Sequence, residues 1–476
     1  MHPIFLLIYL VLEGIALLSA VHALFTVRTA QGTIAWIVGL VAFPLIWLPL
    51  YWFFGSRRFE SHSQVMLQKL TSHRSEVHRV RDETRPFQVE RAGILPARLA
   101  DVAAIAGEEY LGGNQLRLLI DGAETFDSIV AEIATARHCV FVQFYIMRED
   151  GLGTRLLEAL AAKAAEGVEV CVLFDGLGSA SMKPAVLQRW RDRGLKMASF
   201  CAMGGWRERW RLNFRNHRKN VIVDGRVGFV GGHNVGDEYL GLNPKYGPWR
   251  DTHVRVDGPA AMQLQMVFAA DWAFATGEIV QGRWQAPEVV SADSGQRALV
   301  LSSGPSDEHE LCTLFFHQAI AMAEHRLWIA SPYFVPDEGI LHALQLAAIR
   351  GVEVRILLPM KPDQLLVWLA SFAILTELDH PNIHIHRFTD GFLHQKALLV
   401  DDDFAAVGTA NFDNRSFRLN FEITLAVADR QFANEVAAMF ARDFAASQLV
   451  GARDYEHRPL LFKVGARAAR ILAPIL

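Results

Sequence analysis

The 476-residue sequence predicts an α/β protein of two similar halves packed around one site, preceded by two membrane-spanning helices. Three observations carry that prediction. The pattern H-x-K-x4-D occurs twice, as His217-Arg-Lys219 with Asp224 and as His394-Gln-Lys396 with Asp401. The tetrapeptide Gly-Val-Glu-Val also occurs twice, at 167–170 and 351–354, each time opening a strand-like run after a helix-like one. Two long apolar runs occupy the N-terminus.

The apolar runs come first along the chain. Residues 3–25 carry only Glu13 and His22 as polar exceptions, and residues 32–54 are uncharged. Each approaches the roughly 20 residues needed to cross a hydrocarbon core. Pro44 and Pro49 are expected to kink the second helix without excluding it. A cleaved signal peptide is a poorer fit, because the first run lacks a charged leader and a second follows at once. Arg57, Arg58, Lys69, Arg74, Arg79 and Arg81 follow the second run, against Arg28 between the two. That bias puts both the N-terminus and the C-terminal bulk on the cytoplasmic side of the membrane.

Residues 57–112 read as a polar connector leading into a helix. A first α/β domain is expected over 113–290 and a second over 291–476. In the first, 140–145 and 167–174 read as strands around a helix at 153–166. In the second, 327–330 and 351–358 read as strands around a helix at 338–350. Each histidine motif runs into a strand, Asn220-Val-Ile-Val or Ala397-Leu-Leu-Val, and each aspartate stands at the turn that ends it. On a strand, His and Lys at i and i+2 share a face. Imidazole and ammonium then address one phosphate, while Arg218 and Gln395 point away. The motif aspartates, grouped here with the catalytic set, suit turn formation or a salt link away from the phosphate.

Seven residues beyond each aspartate come Gly231-Gly232-His233-Asn234 and Gly408-Thr409-Ala410-Asn411 (231−224 and 408−401). The interval from histidine to asparagine is 17 in both copies (234−217 and 411−394). Two histidines, two lysines and two asparagines meeting at one place make a site for attacking a phosphodiester. An imidazole near its ordinary pKa can be nucleophile in one copy and general acid/base in the other. The lysines would neutralise non-bridging oxygens, with Asn234 and Asn411 as amide donors and Thr409 offering a hydroxyl in one half only. No metal and no cofactor are called for, since two ammonium groups supply the positive charge.

The paired motifs resemble the phospholipase D superfamily. The runs Gly231–Tyr239, Trp249-Arg-Asp-Thr-His253 and Gly408–Glu422, together with the apolar N-terminus, are similar to those of bacterial cardiolipin synthases. The resemblance implies two phospholipase D-like α/β sandwich domains and transfer of a phosphatidyl group between two phosphatidylglycerol molecules. Cardiolipin and glycerol leave, by way of a phosphatidyl-histidine. It also makes Asp251 and Glu422 candidates for the carboxylates that orient the histidines; they lie 34 residues after His217 and 28 after His394. His217 is favoured as the nucleophile and His394 as the acid/base. A hydrolase of the same superfamily and a non-catalytic lipid-binding scaffold are the alternatives.

Other signals are weaker. A net charge of −4 argues against a general nucleic-acid binder. Cys139, Cys171, Cys201 and Cys312 form no C-x-x-C pair and read as buried thiols. The arginine- and tryptophan-rich stretch 206–218 suits a lip that touches anionic headgroups. Residues 365–375 read as a buried helix too short to span, and the tail from Pro459 as an amphipathic interfacial helix. His384 and His386 lack a third ligand.

Overall fold

The computed structural model describes residues 3–27, 30–55, 82–89, 97–200, 214–285 and 295–471. The basic residues at 57–81, Arg28, Cys201 and the stretch 206–213 lie outside the described residues. The chain divides into two units, one formed by residues 1–68 and 204–214 and the other by the rest.

In the first unit the leading apolar run forms one helix, Pro3–Thr26, of which Leu7–Thr26 is long and apolar enough to cross a membrane. The second run differs from the expectation of a single kinked span. It divides into helices Ala30–Ala42 and Pro44–Leu50 and a π-helical turn, Tyr51–Gly55. Proline has no N–H and pushes its predecessor out of the helical region, so Phe43 sits at φ −142°, ψ 64°. The polar exceptions in the first run find partners within this unit: Tyr9 donates to Glu13 at 2.6 Å, and His22 Nδ1 meets the hydroxyl of Tyr51, in the second run, at 2.6 Å.

The second unit is built on one mixed sheet. Its strands are β1 (Leu111–Ile120), β2 (Cys139–Phe144), β3 (Glu169–Asp175), β4 (Lys196–Phe200), β5 (Asn220–Val223), β6 (Val227–Gly231) and β7 (Thr252–Asp257). They continue with β8 (Gln296–Ser303), β9 (Arg326–Ala330), β10 (Glu353–Pro359), β11 (Ile383–Phe388), β12 (Ala397–Val400), β13 (Phe404–Gly408), β14 (Asn420–Val427) and β15 (Ser447–Val450). Across the sheet they run β15-β11-β10-β9-β12-β13-β14-β8-β1-β7-β6-β5-β2-β3-β4. Strands β1 to β7 map in order onto β8 to β14, so the second half repeats the first, with β15 added at one edge.

The halves are expected to pack as two sandwiches. They are also joined edge to edge, through antiparallel β1 and β8, with a register shift between Leu111 and Asn114. Within the large sheet the pairs along β2-β3-β4 and β9-β10-β11 are parallel, and these carry the crossover helices Gly151–Ala165 and Glu338–Ile349. The inner strands read as unbroken apolar runs because they are covered on both faces; every residue of β2, β5 and β12 is buried.

Candidate active site

Each histidine motif is delivered by a short extended stretch that docks on the opposite half. Arg215–Asn216 pairs in parallel with Asn420–Phe421, and Phe392–Leu393 pairs in parallel with Trp249–Arg250. One residue further along these registers, His217 lies beside Glu422 and His394 beside Asp251. Backbone bonds from His217 N to Phe421 O (2.9 Å) and from His394 N to Arg250 O (2.8 Å) fix both positions. The H-x-K residues therefore sit just ahead of β5 and β12, in these bridging stretches, rather than on the strands themselves.

The carboxylates consequently cross. His217 Nδ1 lies 2.9 Å from Glu422 Oε2, and His394 Nδ1 lies 2.7 Å from Asp251 Oδ2. Each ring is held in one tautomer by the other half, leaving Nε2 for the cavity. Both histidines line a cavity of about 530 Å³, along with Asn234, Asn411, Tyr145, Tyr333, Arg215 and Arg415. The Tyr145 ring meets the His217 ring edge-on at 5.1 Å, and Trp249 packs on His394 at 5.1 Å.

Burial dominates the electrostatics. It pushes His217 down to about 4, against the opposing pull of Glu422, and His394 to about 3, so burial favours the neutral form of both rings. Burial likewise pushes Lys219 down to about 7 and Lys396 to about 8. A bound anion would reverse those lysine shifts, which ties protonation to occupancy. Lys219 Nζ donates to its own histidine's carbonyl, His217 O, at 2.6 Å. Lys396 also reaches the carbonyl of its histidine, and its Nζ lies 3.2 Å from His394 Nε2. Burial alone would raise Asp251, but Lys396, His233 and His394 hold it well below the carboxylate range; His217, Lys219 and Thr409 lower Glu422 against the same effect of burial.

The motif aspartates stand apart from this chemistry. The strand between Lys219 and Asp224 carries the carboxylate about 16 Å along the sheet. There Asp224 accepts from the backbone N–H groups of Arg137, His138 and Cys139. Asp401 accepts from those of Glu324, His325 and Arg326 and from Arg98. Both have positive φ, 53° and 51°, as turn residues in the left-handed region. Grouping them with the catalytic residues is therefore corrected: they fasten the turns that end β5 and β12.

Thr409 also does something other than meet phosphate: its hydroxyl donates to Glu422 Oε2 at 2.6 Å. At the matching position Gly232 leaves no room, since a Cβ there would lie 2.0 Å from Asp251 Oδ1. Asn234 is engaged as well, its Oδ1 accepting from Ile146 N and its Nδ2 donating to Tyr239.

Two carboxylates were not foreseen. Asp271, on the helix Ala260–Thr276, holds Arg218 at 2.6 Å and the amides of Asn216 and Gln143. Asp443, on the helix Arg430–Ala445, holds Gln395 and takes both Nε and Nη2 of Arg250. These contacts clamp the middle residue of each H-x-K on the side away from the cavity. The signal was present as a third duplicated element, Asp271-Trp-Ala and Asp443-Phe-Ala, in which an acid interrupts an apolar helix face. Asp413 was also missed. It lines the cavity, caps Ser416 N at 2.7 Å, and is pushed up to about 7 by burial.

A duplicated α/β unit that brings the histidines of two H-x-K motifs to one cavity, each with its lysine buried beside it, defines a phospholipase D-like protein. Residues 129–272 and 316–444 match the family described as "Cardiolipin synthase, PLD-like domain". The chain is 44% identical over 470 residues to cardiolipin synthase A of Pseudomonas putida strain GB-1, covering 97% of this chain and 96% of that one. It is 42% identical over 473 residues to cardiolipin synthase A of Pseudomonas fluorescens strain SBW25, covering 98% and 97%. The chain belongs to the cardiolipin synthase family of phospholipase D-like proteins. In fold it is similar to a phosphatidylserine synthase of Haemophilus influenzae Rd KW20, with a TM-score of 0.62 at 15% identity over 80% of this chain and all of that one.

Proposed function

We propose that the chain is a membrane-anchored phosphatidyltransferase that converts two phosphatidylglycerol molecules into cardiolipin and glycerol. The observation that carries this reading is the crossed His–carboxylate pair around one cavity, in a family of cardiolipin synthases. In the first step His217 Nε2 attacks phosphorus and the P–O bond to the headgroup glycerol breaks. The negative charge of the bound phosphodiester favours a protonated His394, which gives the departing oxygen its Nε2 proton. In the second step His394 takes the proton from the primary hydroxyl of a second phosphatidylglycerol. That oxygen attacks the phosphatidyl-histidine and releases His217. One phosphodiester replaces another, so the reaction is reversible.

The division of roles is supported by the Lys396 ammonium, 3.2 Å from His394 Nε2. A cation there makes the protonated His394 a better acid and disfavours the charged adduct that a nucleophile must form. Lys219 and Lys396 are the charge partners of the non-bridging oxygens, with Asn234 and Asn411 as further contacts. The helix Pro3–Thr26 and the shorter helices after it are the proposed anchor, crossing the bacterial inner membrane twice with the catalytic unit on the cytoplasmic side.

The test is product analysis of purified protein in mixed micelles containing phosphatidylglycerol, beside His217→Ala and His394→Ala. Cardiolipin plus glycerol, reduced at least about 10³-fold in each variant, is expected. Phosphatidic acid without cardiolipin would make the protein a hydrolase.

A further inference from the structure

We propose that the helices Leu365–Ile374 and Leu460–Ile471 form a docking platform for an anionic lipid surface at the rim of the catalytic cavity. This rests on the phosphatidyltransferase reading above, which requires lipid substrates to enter that cavity. The two helices are packed together by aromatic contacts: the Phe462 ring lies 6.0 Å from that of Trp368 and 5.2 Å from that of Phe372. Ala466 and Ala469 complete the buried side of the second helix.

Its opposite side is apolar too, although none of the described residues covers it. Leu460, Leu461 and Val464 are 75%, 86% and 57% exposed, and Leu365, one turn before Trp368, is 60% exposed. Solvent-facing residues of a helix packed on a domain are ordinarily polar. Here Lys463 and Arg467 flank the apolar ridge, while Arg470 is turned to Glu377 and Pro336 O, and the helix holds no acidic residue. That combination is what an interfacial helix on anionic lipid requires.

The platform is coupled to the site by a single element. Gln364 and Val367 line the catalytic cavity, while the intervening Leu365 and Leu366 face outward. Seating those leucines among acyl chains sets the cavity mouth at headgroup depth. A diacyl lipid could then present its phosphate without leaving the bilayer.

The experiment uses the full chain in vesicles of phosphatidylcholine and phosphatidylglycerol at 7:3. The anchor already binds membranes, so the readout must report local depth. An environment-sensitive fluorophore is placed at Leu461→Cys, with Glu166→Cys as a control in the other half, both in a Cys201→Ala background. At 461 a blue-shifted emission quenched by shallow spin-labelled lipid is expected, and at 166 neither. Aqueous emission at 461, quenched by iodide, would overturn the proposal. Cross-linking through Leu461→Cys between two copies would do the same, making the face a dimer contact.

The second measurement is activity of Leu365→Ser/Leu461→Ser. About tenfold slower transfer is expected with phosphatidylglycerol in vesicles, and an unchanged rate with a monomeric short-chain phosphatidylglycerol. Equal loss on both substrates would mean a distorted site and overturn the platform. Inactivity of the unsubstituted chain on both would instead overturn the transferase reading, leaving the fluorescence result to decide the platform.

Discussion

The two halves of the catalytic unit share a topology but support their partner's histidine differently. The first half offers His394 a short carboxylate, Asp251, backed by Gly232; the second offers His217 a longer one, Glu422, backed by the Thr409 hydroxyl. Glycine and aspartate therefore belong together, as do threonine and glutamate. Asn420 Nδ2 adds a third donor to Glu422 at 3.1 Å, whereas Asp251 accepts from its neighbour's amide, Thr252 N, at 2.8 Å. Duplication conserved the positions of the chemistry and let the means of holding it diverge.

The sharpest way to break this comparison is Gly232→Ala. Its methyl would overlap the Asp251 carboxylate and displace the His394 ring, with a loss of about 10²-fold in transfer rate. Moving the whole second-half pair across, as Gly232→Thr with Asp251→Glu, is expected to recover part of that loss. No recovery would show that the pairs are not interchangeable units. The milder counterpart is Thr409→Val, which removes one bond to Glu422 and leaves the others. About tenfold slower turnover is expected, with little change in KM.

The smallest effect concerns acid stability. His233 and His253 occur only in the first half, where their Nδ1 atoms meet at 3.1 Å; the matching positions hold Ala410 and Thr424. Burial pushes His233 down to about 4 and His253 well below the usual imidazole value. The unfolded chain thus binds more protons than the folded one between about pH 6.5 and pH 4, and stability falls as pH falls through that window. His233→Ala with His253→Thr removes two such groups. It should move the acid-unfolding midpoint, followed by circular dichroism, down by roughly half a pH unit. An unchanged midpoint would mean that the pair is not a source of acid sensitivity.

Much of this architecture was legible in the sequence because duplication doubles every signal. The residues of H-x-K-x4-D, the asparagines 17 positions on and the repeated Gly-Val-Glu-Val locate both halves and the strands that follow each motif. The crossing of Asp251 and Glu422 was not legible. It depends on the parallel pairing of Arg215–Asn216 with Asn420–Phe421, a contact across some 200 residues with no periodicity to betray it. The break at Phe43 was half legible: Pro44 marked the place, but composition alone could not separate a kink from an interruption. Asp271, the lone acid of its helix, and Asp443, which shares its helix with Glu435, were overlooked because scattered helix acids usually mark a solvated face.

One consequence follows from the crossed registers. A half taken alone would carry a histidine without its carboxylate and a carboxylate without its histidine. Neither half is a weaker enzyme; each is an incomplete one. Two copies of the first half related by a twofold axis would complete both pairs, as would two copies of the second. The geometry is thus that of a symmetric dimer written on one strand of chain, and the fusion is what freed Gly232 and Thr409 to differ. A sequence survey would find position 232 changing together with 251, and position 409 with 422, while the histidines at 217 and 394 stay fixed.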